Sequence, residues 1–270
     1  MNFKDWLNLR YDIDAASRNK RIESSFLSAL REQEVSIVDL GAGTGSNFRY
    51  YHDKIKSPKQ YWYLVDQGHE LLEETLINLK KEGVKISKRE GQKISLSKGD
   101  KTYTLELVIA DIFSTEVDPF LEKAEIILSN AFFDLASEEQ LLEFMKKLRP
   151  QQHFLATINY VGMSFEPASE KDQFWIEKYE SHMQRERPEG VSSGPNCITY
   201  MKEILPSLGL NYQLEESNWR LDPKDPVNEG IFDFMRDAFQ DMGEDVASFE
   251  KWKSKKSNSS MKVFHQDILL

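Results

Sequence analysis

The sequence predicts an α/β protein: one mostly parallel sheet with helices on both faces. Three observations carry this. Short apolar runs at 36–40, 61–66 and 107–112 each place an aspartate at or near the C-terminal end, namely Asp39, Asp66 and Asp111. Stretches with helical spacing of apolar residues lie between such runs, as crossover helices in a parallel sheet require. The first strand-to-helix turn carries glycine at alternate positions, Gly41, Gly43 and Gly45.

The elements follow in order. Residues 1–33 lack a strand pattern and read as a helical cap, with Ile22, Phe26 and Leu30 recurring every fourth position beside Leu27. The first strand (36–40), the glycine loop and a helix through 47–53 come next. The second strand is 61–66, and Leu72, Leu76 and Leu79 mark the helix after it. Residues 84–104 read as an inserted hairpin: Ile94 and Leu96 alternate with polar residues, Lys98-Gly99-Asp100 makes the turn, and Tyr103, Leu105 and Leu107 alternate again into the third strand. A fourth strand (125–129) ends at Asn130, and Ser137 caps a helix carrying Leu141, Phe144, Met145 and Leu148 that Pro150 stops. The fifth strand is 153–158. Residues 161–196 leave the alternation and read as an inserted lid, with a helix over about 170–185. A helix through Tyr200, Met201, Ile204, Leu205 and Leu208 follows. Then come a strand at 211–221, an amphipathic helix (Ile231, Phe234, Met235, Ala238, Met242) and a closing strand at 261–270. The expectation is a seven-stranded sheet in one domain covering 1–270.

Composition narrows the function classes. With 40% apolar and 30% charged residues the chain has an ordinary globular make-up. No apolar run reaches the ~20 residues that span a bilayer, and the first residues lack a secretory apolar core, so a cytoplasmic address is expected, with no membrane partner. Cys197 is the only cysteine, which excludes an intrachain disulfide and a cysteine metal cluster; no metal site is expected. The formal net charge of −10 argues against nucleic acid as partner. The basic stretches 80–93 and 251–262 read as solvated faces.

The stretch Val38-Asp39-Leu40-Gly41-Ala42-Gly43-Thr44-Gly45, followed by Asp66 and Asp111-Ile112, closely resembles the class I S-adenosylmethionine-dependent methyltransferases. The resemblance covers about residues 35–160. It implies a Rossmann-like sheet whose last strand runs antiparallel, and S-adenosyl-L-methionine as cofactor. Asp39, Gly41, Ala42, Gly43 and Gly45 would form the loop that holds the methionine part. Asp66 would hold the ribose hydroxyls, and Asp111 and Ile112 the adenine, with Ser129 beside the cofactor. A basic residue of the N-terminal helices, Arg10 or Arg18, would meet the cofactor carboxylate, since arginine binds carboxylates in bidentate fashion. Nicotinamide enzymes space their glycines G-x-G-x-x-G/A, and the position of their last glycine is Ser46 here.

Methyl transfer needs the acceptor aligned in line with the sulfonium and water excluded. Acceptor contacts are therefore expected at the ends of the fourth and fifth strands, from Asn130, Asp134 and Tyr160, and from the lid. Families acting on planar amide or adenine nitrogens carry Asn/Asp-Pro-Pro-aromatic at the fourth strand, whereas Ala131 follows Asn130 here. Trp175, Tyr179 and His182 fall at i, i+4, i+7 on the lid helix, facing the acceptor; the same spacing also describes a packed core. Asp134 and His182 are the candidate bases, with a helix-capping role open for Asp134. A small-molecule acceptor is expected. The rivals are a protein or RNA methyltransferase, a cofactor-binding module without catalysis, and a nicotinamide oxidoreductase.

Overall fold

The computed structural model describes residues 1–187 and 190–270; residues 188 and 189 of the expected lid lie outside it. The elements run α1 (Phe3–Ser17), α2 (Lys20–Ala29), β1 (Val35–Leu40), α3 (Ser46–Tyr51), β2 (Lys59–Asp66), α4 (His69–Lys81), β3 (Lys85–Glu90), β4 (Lys93–Lys98) and β5 (Lys101–Ile109). Then come α5 (Asp118–Lys123), β6 (Ile126–Asn130), α6 (Glu138–Lys146), β7 (His153–Glu166), α7 (Asp172–Met183), β8 (Glu186–Arg187) and β9 (Gly190–Val191). The chain closes with α8 (Cys197–Ser207), β10 (Gln213–Glu216), β11 (Trp219–Leu221), α9 (Pro226–Asp241), α10 (Val246–Ser254) and β12 (Ser260–Leu269).

The main sheet runs in the order β10-β12-β7-β6-β1-β2-β5-β4-β3, with β11 also paired to β12. Strands β5, β2, β1, β6 and β7 are mutually parallel, and β12 lies antiparallel to β7. The sheet has ten strands where the sequence reading gave seven. The excess is the hairpin β3–β4, which is hydrogen-bonded onto β5, and a break at Ser217-Asn218 that divides one expected strand into β10 and β11.

Apolar periodicity explains the layers. One face of the sheet packs Trp62, Leu64 and Leu105 against Phe26 of α2, Phe48 of α3 and Leu72 of α4. The other packs Val38, Val65 and Ile127 against Leu121 of α5, Phe144 of α6 and Met201 of α8. Ser137 and Gln140 form a reciprocal capping box at the start of α6. Cys197, at the start of α8, is buried with its Sγ 3.8 Å from the Tyr160 carbonyl of β7.

A third core lies over the prolonged β7 and β12, built by α1, α7, α9 and α10. The segment expected as a lid is 161–196. Its first six residues continue β7 as far as Glu166, and α10 was not anticipated. Asp172 of α7 anchors this layer: it accepts from the buried Lys256 ammonium at 2.6 Å and from Trp252 Nε1 at 2.9 Å. Lys256 is one of several cations in the two basic stretches that are ion-paired within the chain, as are Arg89 with Glu73 and Lys253 with Glu229.

The β7–β12 ladder is irregular at Ile158, where the register slips between Gln266 and Ile268. Ile158 has φ 56°, a sterically unfavourable value for a β-branched residue. Its N–H leaves the ladder and donates to the carboxylate of Asp267 at 2.7 Å. The other oxygen of Asp267 accepts from the Asn19 N–H at 2.8 Å. One buried side chain thereby fixes both the bulge and the turn joining α1 to α2.

Candidate active site

Strand order reverses at β1, because β2 lies on one side and β6 on the other, and open α/β sheets form their ligand crevice at such a point. A cleft of about 770 Å³ opens there, along the C-terminal strand ends. The glycine loop, Asp66, Asp111 and Ile112 line one end; Ile158, Tyr160, Met163, Val263, Trp219 and His265 line the other. Helix α1 crosses above both, contributing Trp6, Leu7, Arg10 and Asp14, and α9 covers the second end with Ile231 and Phe234.

At the first end, the loop conformation demands glycine. Gly41 has φ 65°, and a Cβ on it would lie 2.6 Å from the Phe132 ring. Gly45 has φ 80° and faces α4, where a Cβ would meet Thr75 at 2.3 Å. Gly43 is turned toward Leu7 of α1. The carboxylate of Asp66 accepts the Gly43 N–H at 2.9 Å and the Gly68 N–H at 2.7 Å, one on each oxygen. Each oxygen retains acceptor capacity toward the cleft. Burial raises the Asp66 pKa against these two backbone bonds. Asp111 accepts the Phe113 N–H through one oxygen at 3.0 Å.

The middle of the cleft is polar. Arg10 contacts Asp14 through two nitrogens, each 2.9 Å from Oδ2, and Asn130 Nδ2 donates to the same oxygen at 3.0 Å. The Asn130 carbonyl oxygen accepts from Thr157 Oγ1 at 2.8 Å, so that amide is fixed in orientation. Asp14 Oδ1 is buried with no hydrogen-bond partner among the described residues. Ala131, with φ 51°, and Ile158 put two strained backbone positions against the cleft. Asp134 is half-buried; desolvation pushes its pKa up, opposed by its own backbone N–H and by Arg10 and Arg187.

From above, α7 contributes Tyr179 and His182. His182 Nε2 lies 3.3 Å from Asp241 of α9, and its Nδ1 lies 3.2 Å from Arg185. Burial, and then Arg185, lower the His182 pKa, while Asp241 raises it. Tyr160 donates to Glu180 at 2.9 Å.

Five expected site residues do not line the cleft. Trp175 packs against Phe239, Phe249 and Trp252 at centroid distances of 5.1, 5.5 and 6.0 Å. It shares a helix face with Tyr179 and His182 but sits roughly 6 and 10 Å lower along the axis, beneath α9 and α10. Arg18 is buried and turned onto α3, with its guanidinium over Tyr50 and Tyr51 at 4.4 and 5.0 Å. Gly45 packs on α4 as described. Asp39 is fully buried beneath the loop, accepting from Asn47 Nδ2 at 2.7 Å, and burial raises its pKa to about 7. Ser129 is enclosed within β6, its Oγ without a partner among the described residues.

Trp219, His265, Phe132 and the α9 face were not anticipated. A signal for His265 exists: Met261, Val263, His265, Asp267 and Leu269 share the buried face of β12, so two polar groups interrupt an apolar pattern.

No protein-family model matches the chain, and no curated protein sequence matches it. Solved structures do. The YcgJ protein of Bacillus subtilis superposes with a TM-score of 0.52 at 13% identity, over 92% of this chain and 95% of that one. An S-adenosyl-L-homocysteine complex of a SAM-dependent methyltransferase from Thiobacillus denitrificans matches at 13% identity over 94% and 92%, with a TM-score of 0.43. Haemonchus contortus phosphoethanolamine N-methyltransferase 2 with S-adenosyl-L-methionine matches at 16% identity and a TM-score of 0.45, over 93% of this chain but 51% of that one. The parallel strands, the antiparallel β12 and the glycine loop at the switch point give this chain the class I S-adenosylmethionine-dependent methyltransferase fold.

Proposed function

We propose that the protein is an S-adenosyl-L-methionine-dependent methyltransferase acting on a small molecule. One observation carries the reading: a single cleft joins a glycine-loop end with free carboxylate capacity to an aromatic end built of buried side chains. Its volume of about 770 Å³ is within the ~300–1,000 Å³ typical of small-molecule sites. The aromatic end favours this reading over a binding module, which needs no second chamber.

The residues fit the cofactor. Asp66 retains an acceptor site on each oxygen for two adjacent ribose hydroxyls. Gly41, Ala42 and Gly43 leave the loop backbone open to the methionine part, where Asp14 Oδ1 lacks a partner and Arg10 is at hand. Asp111 and Ile112 would take the base. When bound, the cofactor supplies an electrophilic methyl on a positively charged sulfur.

This chain's own part is alignment, exclusion of water and removal of a proton. α1 and α9 cover the cleft, and the fixed Asn130 amide borders it. An acceptor atom that took the methyl, with the methyl–sulfur bond broken and its electron pair left on the sulfur as a thioether, would give up its proton, and Asp134, its pKa already raised by burial, is the proposed recipient. His182 is the second candidate, reached through Tyr179 on the same helix face.

Calorimetry tests the cofactor assignment. The protein should bind S-adenosyl-L-homocysteine and show no comparable affinity for NAD. Asp66→Ala should weaken binding by about 1.5–3 kcal/mol, roughly ten- to over a hundred-fold. Unchanged affinity in that variant would overturn the assignment.

A further inference from the structure

The aromatic end of the cleft is built around an irregularity that the proposed cofactor does not touch. Between β10 and β11 the chain breaks at Ser217-Asn218 and wraps the backbone of His265. The Ser217 N–H donates to the His265 carbonyl at 2.9 Å, and the His265 N–H donates to Asn218 Oδ1 at 2.9 Å. On its other side, β12 slips register against β7 between Phe264 and His265. These two departures set the His265 ring beside Trp219, with centroids 4.7 Å apart, and beside Tyr160 at 6.2 Å. All three line the cleft while remaining 4%, 3% and 8% exposed.

Two nitrogens of this group, His265 Nδ1 and Trp219 Nε1, are buried with no hydrogen-bond partner among the described residues. Leaving buried polar atoms unpaired is unfavourable, so an occupant of the cleft that reached them would relieve that cost. The surroundings fix the ligand's charge. Arg10 lies 5.6 Å over the Trp219 ring but is balanced by Asp14, and burial holds His265 neutral with a pKa near 3. An anion seated here would lose its hydration and gain no unspent counter-charge, and a cation would meet only Asp134, the carboxylate committed to the acceptor's proton. Asp241 stands at the rim, 3.3 Å from His182, with its side chain 69% exposed.

On the methyltransferase reading, we infer that His265 and Trp219 form the acceptor-recognition pair, and that the acceptor is a neutral planar ring carrying a hydrogen-bonding heteroatom. The ring stacks among Trp219, Tyr160 and Trp6, and its heteroatom pairs with the two orphaned nitrogens.

A charge series on similar rings tests this at pH 8 with the full chain: benzimidazole (neutral), benzoate (anion) and benzylammonium (cation), titrated with and without saturating S-adenosyl-L-homocysteine. Benzimidazole should bind at least tenfold tighter than either ion. His265→Gln should weaken it at least tenfold. Trp219→Phe, which keeps a ring and removes the N–H, should weaken it three- to tenfold. Both variants should keep wild-type circular dichroism and S-adenosyl-L-homocysteine affinity within twofold. The inference is overturned if an ion binds as tightly as benzimidazole, if no probe binds, or if both variants retain full benzimidazole affinity. If neutral-ring selectivity survives but S-adenosyl-L-homocysteine does not bind, the methyltransferase reading fails and the ring site stands.

Discussion

Asp267→Ala removes one side chain and strands two backbone donors. The Ile158 N–H, 1% exposed as a residue, has no alternative acceptor in the β7–β12 ladder and should cost about 2–3 kcal/mol once orphaned. The Asn19 N–H lies in a half-buried turn that water can reach, so its loss should add under about 1 kcal/mol. Relief of the carboxylate's own burial, which raises its pKa, offsets part of this. The net expectation is a loss of about 2–3 kcal/mol, or a Tm lower by roughly 4–12 °C for a chain of this size. Asp267→Asn keeps one acceptor and turns an amide toward the other N–H, so it should not rescue the loss. Urea denaturation followed by circular dichroism gives the stability. S-adenosyl-L-homocysteine affinity should fall too, because Ile158 lines the cleft and α1 hangs from the Asn19 turn. An Asp267→Ala protein within about 0.5 kcal/mol of wild type would refute the idea that this carboxylate holds the bulge.

Three further outcomes are expected. Gly43→Val should stay folded by circular dichroism yet lose S-adenosyl-L-homocysteine binding in calorimetry, since a Cβ there already approaches Leu7 to 3.0 Å and its methyls would fill the gap beneath α1. Lys256→Ala should destabilise by about 3–5 kcal/mol in urea melts, because it leaves the Asp172 carboxylate without its buried partner. His265 has a folded pKa near 3 against an ordinary value of 6.5, so its contribution is complete above about pH 6.5 and is lost as pH falls toward 3. Wild type should therefore lose on the order of 4 kcal/mol more than His265→Gln across that window, and parallel acid profiles for the two proteins would contradict the assignment.

Much of the sheet was legible because β1, β2 and β6 are largely apolar and end in short polar turns, and because β4 of the hairpin ahead of β5 alternates apolar with polar residues. Helix α10 was not legible, since Phe249 and Trp252 are its only buried residues and lysines surround them. The extension of β7 was hidden by Gly162, which interrupts the alternation of Tyr160, Met163 and Phe165. At the site, the glycine loop and Asp66 could be placed from local pattern, because a turn and its carboxylate are close in sequence. The other end could not, because β11, β12, α1 and α9 meet there from distant parts of the chain. Trp175 shows the same limit: helical phase gives a face but not a height along the axis, and height decided which aromatic met the cleft.

Cys197 offers a consequence of another kind. It is the chain's sole thiol, and it lies sealed between α8 and the strand that carries Tyr160, with burial holding its pKa up. A thiol reagent can react only when that seam parts and the sulfur ionises. Labelling speed in native buffer therefore works as an internal clock for openings of the chamber's back wall. No added reporter group is needed, and the same measurement shows whether an occupant of the cleft slows the clock.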